Sequence, residues 1–151
     1  MYVAQLCNRN VATVRPFDEV TTAAQLMRER HVGYLIVVEP DDAGIEARPV
    51  GVLTDRDIVV GVVARRIDPG VLTVGDIMTS SPVTLSEFDS LEKAAQEMRR
   101  IGVRRMPVTG KQGELKGVLS LDDLLEAASG ELRDLAVAVR NEQRIEKAQR
   151  T

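Results

Sequence analysis

Two short motifs in this sequence place a hydroxyl and a carboxylate three residues apart. Thr54 precedes Asp57, and Ser120 precedes Asp123, each pair at a point where an apolar strand gives way to a helix. A carboxylate can accept two hydrogen bonds, which suits the 2′ and 3′ hydroxyls of a ribose, and a hydroxyl can donate to a phosphate oxygen. Unpaired N–H groups at the helix start would add a positive field, and Arg56 would add charge. The motifs therefore predict a site for a phosphorylated ribose.

The same spacing has a second interpretation that needs no ligand. A hydroxyl residue followed three positions later by an acid is a variant of the capping box, in which the two side chains satisfy backbone N–H groups at a helix start. Caps of this kind occur at many helices, so the motif alone favours capping. The choice depends on what else surrounds the two carboxylates.

A pair of arginines provides a second candidate for anion binding. Arg104 and Arg105 directly precede the apolar strand Met106-Pro107-Val108. The planar guanidinium presents a fork of donors that matches a phosphate group. A solvated pair at a strand edge is an equally open interpretation, because many surface arginines contribute little.

The chain repeats itself, which explains why the motifs come in pairs. Val14–Val38 and Leu85–Val108 share Phe, Asp, Ala-Ala-Gln and Met-Arg in one register, 71 residues apart, and Gly51–Ile58 matches Gly117–Leu124 at a separation of 66. Such self-similarity is typical of a duplicated structural unit. The first copy therefore carries five extra residues, which fall in the polar stretch Pro40–Pro49, where a loop tolerates insertion.

Each copy predicts the element order β-α-β-β-α. Helices begin at the N-cap candidates Asp18 and Asp89. The other expected bounds are strands at 11–14, 34–38 and 50–53, then at 83–85, 106–109 and 115–119, with second helices at about 55–66 and 121–128. Neither short sheet can cover both its faces alone. We therefore expect an α+β fold in which two repeats, 8–67 and 75–129, pack with pseudo-two-fold symmetry.

The last segment, 130–151, is expected to form a C-terminal helical tail. Its apolar residues Leu132, Leu135, Ala136 and Val139 are spaced for one helical face. A short stripe of this kind favours a helix that docks on its own chain through its first turns and frays later. A dimer contact is the alternative.

The repeated pattern resembles the CBS domain family, named after cystathionine β-synthase. The resemblance lies in the duplicated G-V-L-[TS]-x-x-D, in A-A-x-x-M and G-V-R-R-M-P-V before it, and in the linker GDIMTSSPVTL from Gly75 to Leu85. It extends over nearly all of 11–128 and implies a tandem pair, or Bateman module. In the first copy, Gln5-Leu-Cys-Asn-Arg9 stands where the family often has D-I-M-T.

The resemblance also implies a ligand and its position. Many such modules bind AMP, ADP, ATP, NAD or S-adenosylmethionine between the repeats and pair into disk-like homodimers. For one cleft it implicates Val52, Thr54, Arg56, Asp57, Met78, Ser81, Pro82, Val83, Val103, Arg104 and Arg105. For the other it implicates residues 7–12, including Ala12, with Val32, Tyr34, Val118, Ser120 and Asp123.

The two clefts are not expected to be equivalent. Arg104 and Arg105 correspond to the uncharged Gly33 and Tyr34 in the first copy, so the Asp123 cleft lacks matching arginines. A phosphorylated ligand should therefore prefer the Asp57 cleft. Tyr34 could stack on a base, although a partly buried core tyrosine is the more frequent role.

Composition excludes several other classes of protein. The chain has 151 residues, 44% hydrophobic and 28% charged, and a net charge of -3, which disfavours a protein that neutralises duplex DNA. One cysteine allows no internal disulfide, and one histidine allows no His/Cys metal site. The sequence shows no signal peptide and no membrane-length apolar run, so we expect a cytoplasmic protein.

These features together favour a regulatory protein over an enzyme. The sequence offers no convincing catalytic triad and no P-loop. We therefore expect an adenine nucleotide, AMP, ADP or ATP first, to act as a regulatory ligand and not as a catalytic cofactor, with an effector protein responding to its binding. The alternative is a ligand-free dimerisation or interaction scaffold.

Overall fold

The computed structural model describes residues 1–149 as an α+β fold. In the first half, the elements are α1 (Val3–Leu6), β1 (Thr13–Val14), α2 (Val20–Arg30), β2 (Tyr34–Glu39), β3 (Arg48–Thr54) and α3 (Asp55–Ile58), followed by a π-helical turn (Val59–Val63) and a 3₁₀ turn (Pro69–Val71). In the second half, they are α4 (Val74–Ile77), β4 (Thr79–Ser80), β5 (Leu85–Ser86), α5 (Leu91–Ile101), β6 (Arg105–Thr109), β7 (Leu115–Ser120) and α6 (Leu121–Gln149). The predicted fold class, two repeats followed by a C-terminal helix, is confirmed.

The two sheets share one plan of strand pairing. In the first, β1 runs parallel to β2, and β3 runs antiparallel between β2 and β4. In the second, β5 runs parallel to β6, and β6 is antiparallel to β7. Where Val52 pairs with Thr79 in the first sheet, Val118 pairs with Asn8 in the second. The register therefore repeats along with the sequence.

The long helix of each repeat covers its sheet with a stripe of small and flexible side chains. Val20, Ala23 and Met27 of α2 are buried, as are Ala94 and Met98 of α5. Their spacing of three and four residues places them on one helical face. The buried core of the described residues is aliphatic and consists of Val, Leu, Ile, Met and Ala side chains.

The segments that lead into each repeat pack on the opposite repeat. Val3 of α1 joins the core that contains Leu85 and Met106, whereas Val74 of α4 joins the core that contains Leu35. Both valines are fully buried. Their N–H groups donate to equivalent carbonyls, those of Asp89 at 2.9 Å and Asp18 at 2.8 Å. The core of each repeat is thus completed by the short helix that leads into the other repeat.

Asp18 and Asp89 do not cap the long helices, contrary to the sequence prediction. The N-cap residues are Glu19 and Ser90, one position later. The two carboxylates accept hydrogen bonds from the N–H groups three residues before them, at 2.8 and 2.9 Å. They close the tight turn before each helix, a role that aspartate fills through the same local hydrogen bonding as a cap.

The C-terminal helix also differs from its prediction. The expected break near Ala128 is absent, and α6 runs through Gly130 without interruption. From Ala128 to Gln149 every residue is exposed, with Leu132 at 68% and Leu135 at 65%. The expectation that this segment docks on its own chain is therefore wrong, because no other part of residues 1–149 covers its apolar face.

Candidate functional site

A cleft of about 410 Å³ lies between the two repeats beside Asp57. Its floor and walls are mostly apolar, whereas hydroxyls, one carboxylate and two guanidiniums stand among them. The lining residues are Tyr34, Val52, Thr54, Asp57, Thr79, Ser81, Pro82, Val83, Ile101, Val103, Arg104, Arg105, Met106 and Pro107. They come from the start of β2, from β3 and the start of α3, from β4 and the linker after it, and from the end of α5 through β6. The site therefore exists only because the repeats face each other.

Thr54 and Asp57 form a reciprocal pair of hydrogen bonds at the start of α3. The Thr54 N–H donates to Asp57 Oδ2 at 2.9 Å, and the Asp57 N–H donates to Thr54 Oγ1 at 3.1 Å. This is the capping box that the motif allowed as an interpretation. It leaves Asp57 Oδ1 without a hydrogen-bond partner among residues 1–149, and it leaves the Thr54 hydroxyl proton free to donate. Capping and ligand binding are thus compatible in one motif.

The backbone N–H groups at this helix start are already paired. The Asp55 N–H donates to the Gly33 carbonyl at 3.0 Å, and the Arg56 N–H donates to Asp55 Oδ1 at 2.8 Å. With the Asp57 N–H also committed, the positive field expected from free amides is not supplied here. Positive charge in the cleft must come from Arg104 and Arg105.

The two arginines differ in their surroundings. The guanidinium of Arg104 lies 3.5 Å from Asp122 Oδ1, and both side chains are well exposed. This exposed pair is weak and easily rearranged. Arg105 has no ion-pair partner among the described residues, and its charge acts on the Tyr34 phenol. Arg105 is therefore the less committed of the two cations.

A second cleft of about 250 Å³ lies beside Asp123. Its lining residues are Asn8, Asn10, Val11, Ala12, Val32, Tyr34, Arg105, Val118, Ser120 and Asp123. Ser120 and Asp123 form the same reciprocal pair as in the first repeat, with distances of 3.0 and 3.1 Å. This cleft is smaller than the first and contains a larger share of polar residues.

Tyr34 and Arg105 belong to both clefts. They are equivalent positions of the two repeats, since Tyr34 pairs with Thr54 across one hairpin and Arg105 pairs with Ser120 across the other. Burial raises the pKa of the Tyr34 phenol, and the Arg105 charge opposes that rise only in part. Tyr34 therefore stays a neutral donor and acceptor between the clefts.

Most residues predicted for the two clefts are brought together, but four are not. Arg56 is exposed and lies outside both linings, because its position in α3 is on the solvent side. Met78 also lies outside, because its side chain packs against the core of the first repeat and over Gly51. Cys7 and Arg9, from the predicted stretch 7–12, also lie outside both linings, whereas the other predicted residues line one cleft or both.

Sequence reasoning also missed some members of the site. Ile101, Met106 and Pro107 line the Asp57 cleft and flank the predicted Val103–Arg105 segment. The statement that the Asp123 cleft lacks an arginine was wrong, since Arg105 reaches it. Tyr34 was assigned to one cleft and lines two. The 71-residue repeat identifies residues 34 and 105 as equivalent positions, but it gave no signal for how closely they approach.

Gly33 explains why the clefts stay unequal. A Cβ on Gly33 would lie 2.6 Å from Asp55 Oδ2, so the aspartate occupies the space that a side chain would need. The equivalent residue of the second repeat is Arg104. Only the second repeat therefore extends a guanidinium from this position.

No helix within residues 1–149 has the length and hydropathy to cross a membrane. Over the same residues, no group of three or more His, Cys, Asp or Glu side chains could hold a metal ion. The only cysteine, Cys7, is half-buried and unpaired, and burial raises the pKa of its thiol.

Comparison with known proteins places this geometry in a family. The CBS domain profile matches residues 3–64 and 74–130. The uncharacterized protein MK0525 of Methanopyrus kandleri is 30% identical over 124 residues, which cover 82% of this chain and 61% of that protein. An inosine-5′-monophosphate dehydrogenase of Korarchaeum cryptofilum is 33% identical over 77% of this chain. The matched part spans only 22% of that enzyme's length.

Solved structures show the same fold. Hypoxic Response Protein I, crystallised with two coordinated zinc ions, superimposes with a TM-score of 0.72 at 30% identity, covering 83% of this chain and 98% of that chain. The CBS domain pair of MJ0100, in complex with 5′-methylthioadenosine and S-adenosyl-L-methionine, gives a TM-score of 0.72 at 21% identity. That match covers 87% of this chain and 98% of the other.

Proposed function

The chain belongs to the CBS domain family, and from that premise we propose that it senses an adenosine-containing ligand in the Asp57 cleft. The observation that carries the proposal is the convergence of Asp57, Thr54, Arg104 and Arg105 on one apolar cleft between the repeats. A pocket of a few hundred Å³ with few polar groups is the usual form of a small-molecule site.

Each part of such a ligand finds a suitable group. The open Asp57 Oδ1, together with the second lone pair of Oδ2, accepts hydrogen bonds from ribose hydroxyls. The Thr54 hydroxyl and the two guanidiniums donate to phosphate or another anionic group. Val52, Val83 and Val103 offer an apolar slot for the base. AMP, ADP and ATP are the first candidates, with NAD and S-adenosylmethionine next.

The comparisons support this choice of ligand class at the level of the family. The CBS domain pair of MJ0100 holds two adenosyl compounds, and its similarity to this chain is one of fold. The choice among adenosyl ligands for this chain therefore follows from the charge and hydroxyls of its own cleft.

Regulation and not catalysis is the role we propose for the binding. Among the described residues, no group of three or more His, Cys, Asp or Glu side chains could hold a metal ion, and the sequence offers no convincing catalytic triad. Ligand binding between repeats can bias how the repeats or two subunits sit together, and an effector protein can respond to that difference. Exposed Val59, Val60 and Val63 offer an apolar face for a homodimer. We place this regulator in the cytoplasm, away from duplex nucleic acid and membranes.

A ligand-free scaffold remains the second candidate, and one observation favours it. Both capping boxes are complete without any ligand. A thermal-shift panel on the full chain separates the two functions, using AMP, ADP, ATP, NAD, S-adenosylmethionine and adenosine. A ligand at a hundred times its Kd stabilises the folded state by about 2.7 kcal/mol, so a bound member of the panel must raise the Tm. A panel with no shift at millimolar concentrations would favour the scaffold.

A further inference from the structure

The outward face of α6 carries a continuous row of apolar side chains, all of which except the first are exposed among residues 1–149. We name this row the α6 stripe. Its members are Leu121, Leu125, Ala128, Leu132, Leu135 and Val139. Leu121 reaches the core of the second repeat, whereas Leu125, Leu132, Leu135 and Val139 are between 54% and 68% exposed. Isolated exposed leucines are ordinary, but an aligned set of this kind marks an interaction surface.

The spacing of the α6 stripe is that of a coiled-coil seam. Successive members are separated by four, three, four, three and four residues. This alternation averages the 3.5-residue period at which two helices keep one seam in contact. From Leu121 to Val139 the seam is about 27 Å long at 1.5 Å per residue. The partner that fits it is another helix.

The α6 stripe is symmetric about Gly130. Leu121 and Val139 stand nine residues on either side of it, Leu125 and Leu135 five, and Ala128 and Leu132 two. A two-fold interface between identical subunits needs a surface that is complementary to itself in this way. Pairing the stripe with a reversed copy of itself sets Leu125 against Leu135 and the small Ala128 against Leu132. The symmetry therefore points to a second copy of this chain as the partner.

Charge supports the antiparallel direction. Residues 121–134 contain five acids and one base, whereas residues 135–149 contain two acids and three bases. Parallel helices would align the acidic halves and place Glu142 and Glu146, which continue the heptad, against their own copies. Like charges in contact destabilise a helix pair. Reversal about Gly130 instead brings Arg140 of the second copy toward Asp122.

We propose that the α6 stripe pairs with the same stripe of a second copy of this chain as an antiparallel two-helix coiled coil. The pairing does not depend on a ligand or on the proposed sensing function. It gives the chain a dimer contact remote from the clefts, in addition to any contact through the faces of the repeats.

Sedimentation velocity on the full chain tests the pairing. Leu132→Glu places a charge in the centre of the stripe, and Val137→Glu places the same charge on the opposite face of the same helix. We expect Leu132→Glu to halve the mass of the assembly and Val137→Glu to leave it unchanged. Leu132 is 68% exposed, so thermal unfolding should show both variants folded. A monomeric parent protein, or equal masses for the two variants, would overturn the proposal.

Disulfide trapping tests the direction. In a Cys7→Ala background, the double variant Leu125→Cys with Leu135→Cys should form covalent dimers on oxidation, because the two positions meet across the antiparallel pair. Leu125→Cys alone should stay uncrosslinked. Crosslinking by the single variant would mean a parallel pair, and absence of crosslinking by the double variant would reject the proposed register.

Discussion

Tyr34 and Arg105 stand at the same register position of the two repeats, and both side chains line both clefts. Each is paired across its hairpin with the hydroxyl residue that begins the next helix. One position thus provides a neutral phenol from one repeat and a permanent cation from the other. A ligand in either cleft lies beside this pair, and Arg105 is the one cation that lines both clefts.

Substitution of each arginine in turn should show which of them contributes to binding in both clefts and which contributes in one. Arg105→Ala should weaken a phosphorylated ligand in both clefts, whereas Arg104→Ala should affect the Asp57 cleft alone. Loss of a charge-assisted hydrogen bond costs about 1.5–3 kcal/mol, or roughly ten-fold to a hundred-fold in Kd. Isothermal titration with AMP and with adenosine measures the effect. Adenosine, which lacks the phosphate, is the control, and an equal loss for both compounds would contradict phosphate recognition by Arg105.

Asp57 and Asp123 form a matched pair of variants. Each carboxylate closes the same capping box, so Asp57→Ala and Asp123→Ala should each lower the free energy of unfolding by about 1 kcal/mol. Only Asp57→Ala should abolish the rise in Tm that a nucleotide produces. The common loss of stability makes each variant the control for the other. A larger effect from Asp123→Ala would reverse the proposed preference between the clefts.

The buried phenol of Tyr34 predicts a pH dependence of stability. Its pKa is raised in the folded chain, mainly by burial, relative to a free tyrosine near 10. The folded state therefore holds the proton more tightly than the unfolded state. This stabilisation is complete below pH 10 and is lost as the pH rises toward the folded pKa. Chemical denaturation at pH 9 and pH 11 should show a steeper loss for the parent chain than for Tyr34→Phe, and identical slopes would exclude this role.

Truncation of Val3 or Val74 should destabilise the repeat on which the side chain packs, not the repeat into which its helix leads. Each is fully buried in the core of the repeat on the other side of the chain. Val→Ala at either site should cost roughly 2 kcal/mol through lost burial and a residual cavity. Hydrogen exchange should show Val3→Ala loosening β6 and β7, and Val74→Ala loosening β2 and β3. Loosening confined to the neighbouring sequence would contradict the observed packing.

Gly130 provides a test of the continuous helix. It lies inside α6, and a Cβ at this position would meet no atom within 4 Å. Gly130→Ala should therefore stabilise the helix by about 1 kcal/mol, because glycine has a low helical propensity. Far-ultraviolet circular dichroism during thermal unfolding measures the gain. A decrease in stability would indicate that the chain turns at residue 130.

The fold could be predicted from the sequence because its periodicity appears twice. The helical spacing of Ala23 and Met27 recurs in Ala94 and Met98, and the strands recur with it. Caps were harder to place, since an aspartate that closes a turn and one that caps a helix make similar local bonds, as Asp18 shows. The sequence predicts an end of the second helix at about residue 128, whereas neighbouring helix-forming residues carry α6 through Ser129 and Gly130.

The sequence predicted those cleft residues whose spacing recurs in both repeats or whose charge stands out. Thr54 and Asp57 were found from spacing, and Arg104 and Arg105 from charge. Met78 could not be excluded, because a half-buried methionine next to a cleft and one turned into the core have the same sequence signal. The double membership of Arg105 depends on how closely two sheets meet at the axis, which a single pattern along the chain does not encode.

Because each leading helix, α1 or α4, packs on the opposite repeat, neither repeat completes its own core. A protein with one repeat and the same geometry would direct its leading helix, the counterpart of Val3, away from its own core, and that core would stay incomplete. Two such chains could each complete the other's core only by association, which depends on protein concentration. With both repeats in one covalent chain, the same completion does not depend on concentration.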